Sequence, residues 1–234
     1  PKKSVRGRRE VTSFRMPWWA RFRSRSDRTP FPELPGHEEL TQRAELFGVI
    51  QLENHARFLA SKHECESVRG SELLLRQLSK NEVGIRRCHR TIAESVRQRH
   101  RISPAAEWLL DNFHLIQEQI ELAQAHLSPG YSRGLPRLTT GPRRGFPRIY
   151  DIVLEVVRHT DGQVGHENLS LFIRAYQETH PLTLGELWAV PIMLRLSLIE
   201  KLHLVTQRIA WRSSQRDEAL HWADRFLKKV ETNP

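Results

Sequence analysis

Ser103–Glu121, SPAAEWLLDNFHLIQEQIE, is the stretch whose reading decides the fold. Ser103 offers a side-chain oxygen to cap a helix. Pro104 suits the first helical position, where the N–H it lacks would have no partner. Behind that start, Leu109, Phe113, Ile116, Ile120 and Ala123 recur at steps of four, three, four and three. That is one apolar stripe on a helix of roughly five turns. Trp108, Leu115 and Leu122 widen it, so this helix is expected inside the domain with partners on more than one side. Asp111, Glu118 and Glu121 keep a polar side.

Residues 38–63 keep a helical period through Leu40, Ala44, Phe47, Ile50 or Val49, and Leu59. A short apolar piece, Leu73–Leu78, follows, and Asn81 is placed to cap a helix running to about Arg99 with Ile85, Cys88, Ile92 and Val96 on one face. Downstream, Pro147 opens a helix carrying Ile149, Val153, Val156 and Val157, and Asp161-Gly162 stops it. Leu169, Phe172, Ile173 and Tyr176 make another. Thr183-Leu-Gly-Glu186 is a capping box, in which the hydroxyl and the carboxylate each satisfy a free N–H. The long helix behind it contains Pro191, where a bend is expected. Asp217–Val230 reads as a last amphipathic helix. No strand pair stands out. The pattern predicts an all-α domain at 37–234, about seven helices in an irregular bundle, behind a basic disordered tail at 1–36.

The chain of 234 residues carries a net charge of +10. Residues 1–30 hold ten Lys/Arg against Glu10 and Asp27, which leaves 27 Lys/Arg and 25 Asp/Glu of the chain's 37 and 27 for the rest. The high basicity therefore belongs to the tail and not to a folded basic face. Within the tail, Trp18, Trp19 and Phe22 alternate with Arg21 and Arg23, a composition suited to an anionic membrane surface; the plain alternative is a solvated tail. No apolar run reaches the ~20 residues that span a bilayer, and no secretory leader is expected. Cys65 and Cys88 form no CxxC spacing and read as reduced thiols.

Between residues 128 and 147 four prolines and four glycines mark a long irregular loop. Its Arg133, Arg137, Arg143 and Arg144 are interaction candidates, although a loop tethered over the helices is the simpler reading. Phosphate-loop, Rossmann, HExxH, GxSxG and zinc-finger signatures are absent. Asp111-x-x-His114 and Glu200-x-x-His203 have the carboxylate–His spacing of di-metal helical bundles, with Glu107 and Glu155 as further ligands; chance pairing on charged helices is the competing account. Glu186 and Trp188 form a possible sugar platform. The competing reading puts Trp188, like Trp108, in the core, where truncation to Ala costs about 3–5 kcal/mol.

Several strings resemble the amino-terminal region of the cyclic β-1,2-glucan synthase family in order and spacing. They are RAELFGVIQLENHARFLASKH, SPAAEWLLDNFHLIQEQI, GYSRGLPRL, GFPRIYDIVLEVVRHTD and FIRAYQETHPLTLGELWAVPIMLRLSLIEKL. The resemblance covers about residues 38–209. It implies a helical accessory or scaffold module of a bacterial membrane glycosyltransferase that builds its glucan from UDP-glucose. It further implies a position at the cytoplasmic face of the inner membrane, with other synthase domains or subunits as partners. The family's chemistry lies in other domains, so no catalytic residue and no cofactor is expected in this chain, which reads as a fragment or truncated form. Two alternatives remain: a nucleic-acid binder using the tail and arginine loop, and a di-metal helical-bundle oxidase.

Overall fold

Seven helices and one very short ribbon occupy the described residues, 45–67, 72–127 and 130–231, of the computed structural model. In chain order they are α1 (Val49–Lys62), β1 (Cys65–Glu66), α2 (Leu73–Arg97), α3 (Pro104–Asp111), α4 (Phe113–His126), β2 (Arg137–Leu138), α5 (Arg148–His159), α6 (His166–Gln177) and α7 (Leu184–Glu231). The all-α reading holds. The ribbon is antiparallel, pairing Cys65 with Leu138 and Glu66 with Arg137, a two-residue contact that no strand pattern announces. The membrane-surface candidates Trp18, Trp19, Arg21, Phe22 and Arg23 lie outside the described residues.

The stretch that decides the fold is two helices, not one. Ser103 caps α3 as expected, its hydroxyl accepting from the Ala106 N–H at 3.3 Å. The helix then breaks at Asn112, whose side-chain amide donates to the Trp108 carbonyl at 2.8 Å. That bond satisfies the end of α3 locally and lets α4 start afresh. Leu109, Ile116, Ile120 and Ala123 are buried along the predicted stripe. Trp108, Leu115 and Leu122 are exposed, so the helix pair is covered on one side only. A broad apolar face on a sequence is not by itself proof of two buried sides.

Elsewhere segments expected to be separate fuse into single helices. Leu73–Leu78 and the segment after Asn81 form the single α2. Asn81 does not cap; it is buried in mid-helix, where its carbonyl oxygen accepts from Gln77 at 3.2 Å and faces His203 at 3.1 Å. The expected last helix at 217–230 is the continuation of α7, 48 residues in one element, or about 70 Å at 1.5 Å per residue. Its start is the predicted capping box: Glu186 accepts from the Thr183 N–H at 2.9 Å, and the Thr183 hydroxyl accepts from the Glu186 N–H at 3.3 Å.

α7 lies along both α2 and α5, and α1 packs on α6. The cross-links Asn81–His203 and Ser95–Asp217 advance together, so α2 and α7 run the same way. Gln124–Glu82 and the stacked pair His89–Phe113 show α4 running back along α2. One core joins all seven helices, with Phe172, Ile149, Ile152, Val153, Met193 and Ile85 among its most deeply buried side chains.

Candidate functional site

Polar side chains concentrate where α5 faces α7 and α1. The N-terminus of α5 follows the Pro/Gly-rich loop, so its first residues lie where the loop, α6 and α7 meet. Arg148 points inward there. It donates to both oxygens of Glu186, at 2.7 and 2.9 Å, and to the Pro181 carbonyl at 2.9 Å. Glu186 has no exposed surface. The fork geometry satisfies the carboxylate and fixes its orientation, and Glu186 in turn holds Arg148 more firmly cationic.

Two residues on, Tyr150 donates to Glu200 at 2.5 Å, and Arg143 reaches the other oxygen of Glu200 at 2.6 Å. Burial pushes the Tyr150 phenol well above its ordinary value, and the Glu200 charge adds to the effect, so the proton stays on Tyr150 as a donor. Arg143 also lies 5.8 Å from the ring centres of Phe146 and Tyr150. Asp151 takes His63 at 3.1 Å, and the other nitrogen of His63 meets the Tyr176 hydroxyl at 2.9 Å. The outcome is a polar seam through the helices with each carboxylate matched to donors.

The arginine loop divides accordingly. Arg137 is buried and donates to the Gly145 carbonyl and to the carbonyl and hydroxyl of Ser132. Arg143 ends in the seam. Both tie the loop down. Arg133 and Arg144 are exposed and keep a surface role open to them. Gly145 is the tight point: its φ is +85°, and an added Cβ would stand 3.1 Å from Leu73.

The proposed di-metal ligands do not converge. Asp111 and His114 are exposed near the α3–α4 junction, and Glu107 is exposed beside them. Glu200 is engaged by Arg143 and Tyr150, and His203 is buried against Asn81. Nor do Glu186 and Trp188 make a platform. Two residues apart on a helix they face nearly opposite ways, Glu186 inward and Trp188 75% exposed. Trp108, at 56% exposure, is likewise not a core residue. The expectation that both tryptophans pack inside is corrected on that ground.

A different cluster forms, which takes only Glu155 from the expected ligand set and adds two histidines that the sequence did not single out. Among the described residues, His55 of α1 and Glu155 and His159 of α5 bring one imidazole nitrogen each and one carboxylate oxygen within 4.8 Å of one another. One oxygen of Glu155 lies 2.9 Å from His55 and 3.3 Å from His159; the other accepts from Arg158 at 2.9 Å. Burial alone would raise the Glu155 pKa. The hydrogen bonds from His159 and His55 and the Arg158 charge outweigh it and hold the carboxyl well below the usual range. Glu155-x-x-x-His159 was legible as one helical face; His55, a hundred residues earlier, was not.

The chain is 34% identical over 148 residues to the cyclic beta-(1,2)-glucan synthase NdvB of Rhizobium meliloti (strain 1021). The aligned part is 63% of this chain and 5% of that protein, so the chain spans about a twentieth of its relative. The suspected relationship to glucan synthases is thereby supported. No family model matches the chain.

Proposed function

We propose that this chain is a helical accessory module related to a small part of a cyclic β-1,2-glucan synthase, and that it acts by binding other parts of such an enzyme, without catalysis of its own. The 148-residue likeness carries the reading. Two features of the fold agree with it. The buried carboxylates Glu186 and Glu200 have both oxygens engaged by Arg148, Thr183, Arg143 and Tyr150, which leaves neither placed to hold a metal–nucleotide sugar. Exposed apolar side chains, Trp108, Leu115, Trp188, Trp222 and Phe226, give other domains or subunits something to cover.

No helix among the described residues is long and apolar enough to cross a membrane. Contact with an anionic membrane surface at the cytoplasmic face is assigned to the tail, through Trp18, Trp19, Arg21, Phe22 and Arg23. Deleting residues 1–30 should then abolish binding to anionic vesicles and leave the helical melt unchanged.

The decisive experiment supplies the purified chain with UDP-glucose and magnesium or manganese, and separately adds it to a synthase lacking the aligned 148 residues. Background UDP release, together with binding to the shortened synthase, is expected. Sustained UDP release that one carboxylate substitution abolishes would overturn the accessory role, as would failure to bind the shortened synthase.

A further inference from the structure

We propose that His55, Glu155 and His159 form a binding site for a zinc-class divalent cation, with water as its fourth ligand. Tetrahedral Zn²⁺ with N and O ligands at about 2.0–2.1 Å places its donor atoms about 3.3 Å apart. Here the Glu155 oxygen is 2.9 Å from His55 Nε2 and 3.3 Å from His159 Nε2, and the three ligand atoms all lie within 4.8 Å. One edge already has the length of a zinc tetrahedron's, the His55 edge at 2.9 Å is somewhat shorter, and the third is no longer than 4.8 Å.

The surroundings orient the donors as a metal site requires. His159 Nδ1 donates to the Glu45 carbonyl at 2.8 Å, which aims Nε2 at the carboxylate. A ligating histidine ordinarily gives its other N–H to such an acceptor, so that its tautomer and ring angle are fixed. The ring of Phe47 stacks on His159 with centroids 3.8 Å apart and planes 5° from parallel, which holds the imidazole flat. Arg158 occupies the second oxygen of Glu155 and leaves the first for the ion. Glu155 and His159, four apart on α5, share a helical face.

Side-chain exposures of 20% for His55 and 13% for Glu155 and His159 allow a hydrated ion to enter. Binding replaces the protons now shared along the two N···O contacts, which leave to solvent, and no electron transfer is involved. Two imidazoles and one carboxylate favour zinc, cobalt or nickel over magnesium or calcium, which take oxygen donors. The ion would join α1 to α5, two elements a hundred residues apart. The site stands whether or not the accessory reading above holds.

The full chain, stripped of metal by chelation, is titrated with Co²⁺ and its visible spectrum followed, then challenged with Zn²⁺. Expected are one equivalent bound, the intense bands of a four-coordinate ion, displacement by Zn²⁺, and a higher melting temperature with Zn²⁺ present. His55→Gln and His159→Gln should each weaken binding at least tenfold and erase the zinc-dependent rise in melting temperature; their circular dichroism without metal checks that they fold. If one variant does not fold, the other decides. No stoichiometric binding, or binding of undiminished affinity in a folded His55→Gln or His159→Gln, overturns the site and assigns any bound ion to the chain's other histidines.

Discussion

Gly84 of α2 lies against the imidazole of His203 on α7, so close that a Cβ built on Gly84 would overlap Nε2. The ring is buried, its Nδ1 is paired with Asn81, and Nε2 has no hydrogen-bond partner. The glycine is therefore what allows α2 and α7 to lie side by side at this level.

From that contact, Gly84→Ala should destabilise the protein by about 1–3 kcal/mol, the usual range for forcing atoms into a packed interior. Helix propensity alone predicts the opposite sign, a gain of about 1 kcal/mol for Ala over Gly. Denaturant melts of the single substitution decide between them. A stabilised variant would mean that the helices separate easily here.

His203 also gives stability a pH dependence. Burial, helped by the Lys80 charge and opposed by Glu200, lowers its pKa below the ordinary 6.5. The unfolded chain then binds the proton more readily than the folded one, so stability is full above about pH 6.5 and falls as pH drops through the folded value. Melts between pH 7.5 and 5 should show a steeper loss in the parent than in His203→Gln. Equal slopes would show that the imidazole takes up its proton freely in the fold.

The Arg148–Glu186 pair should matter through its asymmetry. Arg148→Met strands a fully buried carboxylate and should cost about 3–5 kcal/mol. Adding Glu186→Gln removes the stranded charge while an amide oxygen remains for the Thr183 N–H, and should restore most of the loss. If the double variant is no more stable than Arg148→Met in denaturant melts, the cost came from lost packing and not from the charge.

Trp108→Ala and Trp188→Ala should each cost less than about 1 kcal/mol, because these rings are largely exposed. A loss of about 3–5 kcal/mol in a thermal melt would place the ring in the core after all.

The sequence by itself determined whatever depends on neighbours a few residues apart. The Ser103 cap, the capping box of Thr183 and Glu186 and the stripe from Leu109 to Ala123 all depend on local spacing, and all appear where expected. Where elements merge was less legible. Asn81 has the chemistry of a cap, but it bonds to His203, 122 residues away, and so α2 continues through it.

Only the tertiary structure decided which broad apolar faces are covered and which polar groups meet. Periodicity shows that Trp108 and Trp188 lie on helices; it carries no information on whether another helix arrives opposite them. The same holds for charge. Glu186 could be assigned to a cap, yet Arg148 completes its pairing from another element. His55 joins Glu155 and His159 because packing α1 beside α5 brings distant residues together. Helices form from bonds four residues apart and can be read along the chain. Sites form from contacts a hundred residues apart, and those exist only once the helices have packed.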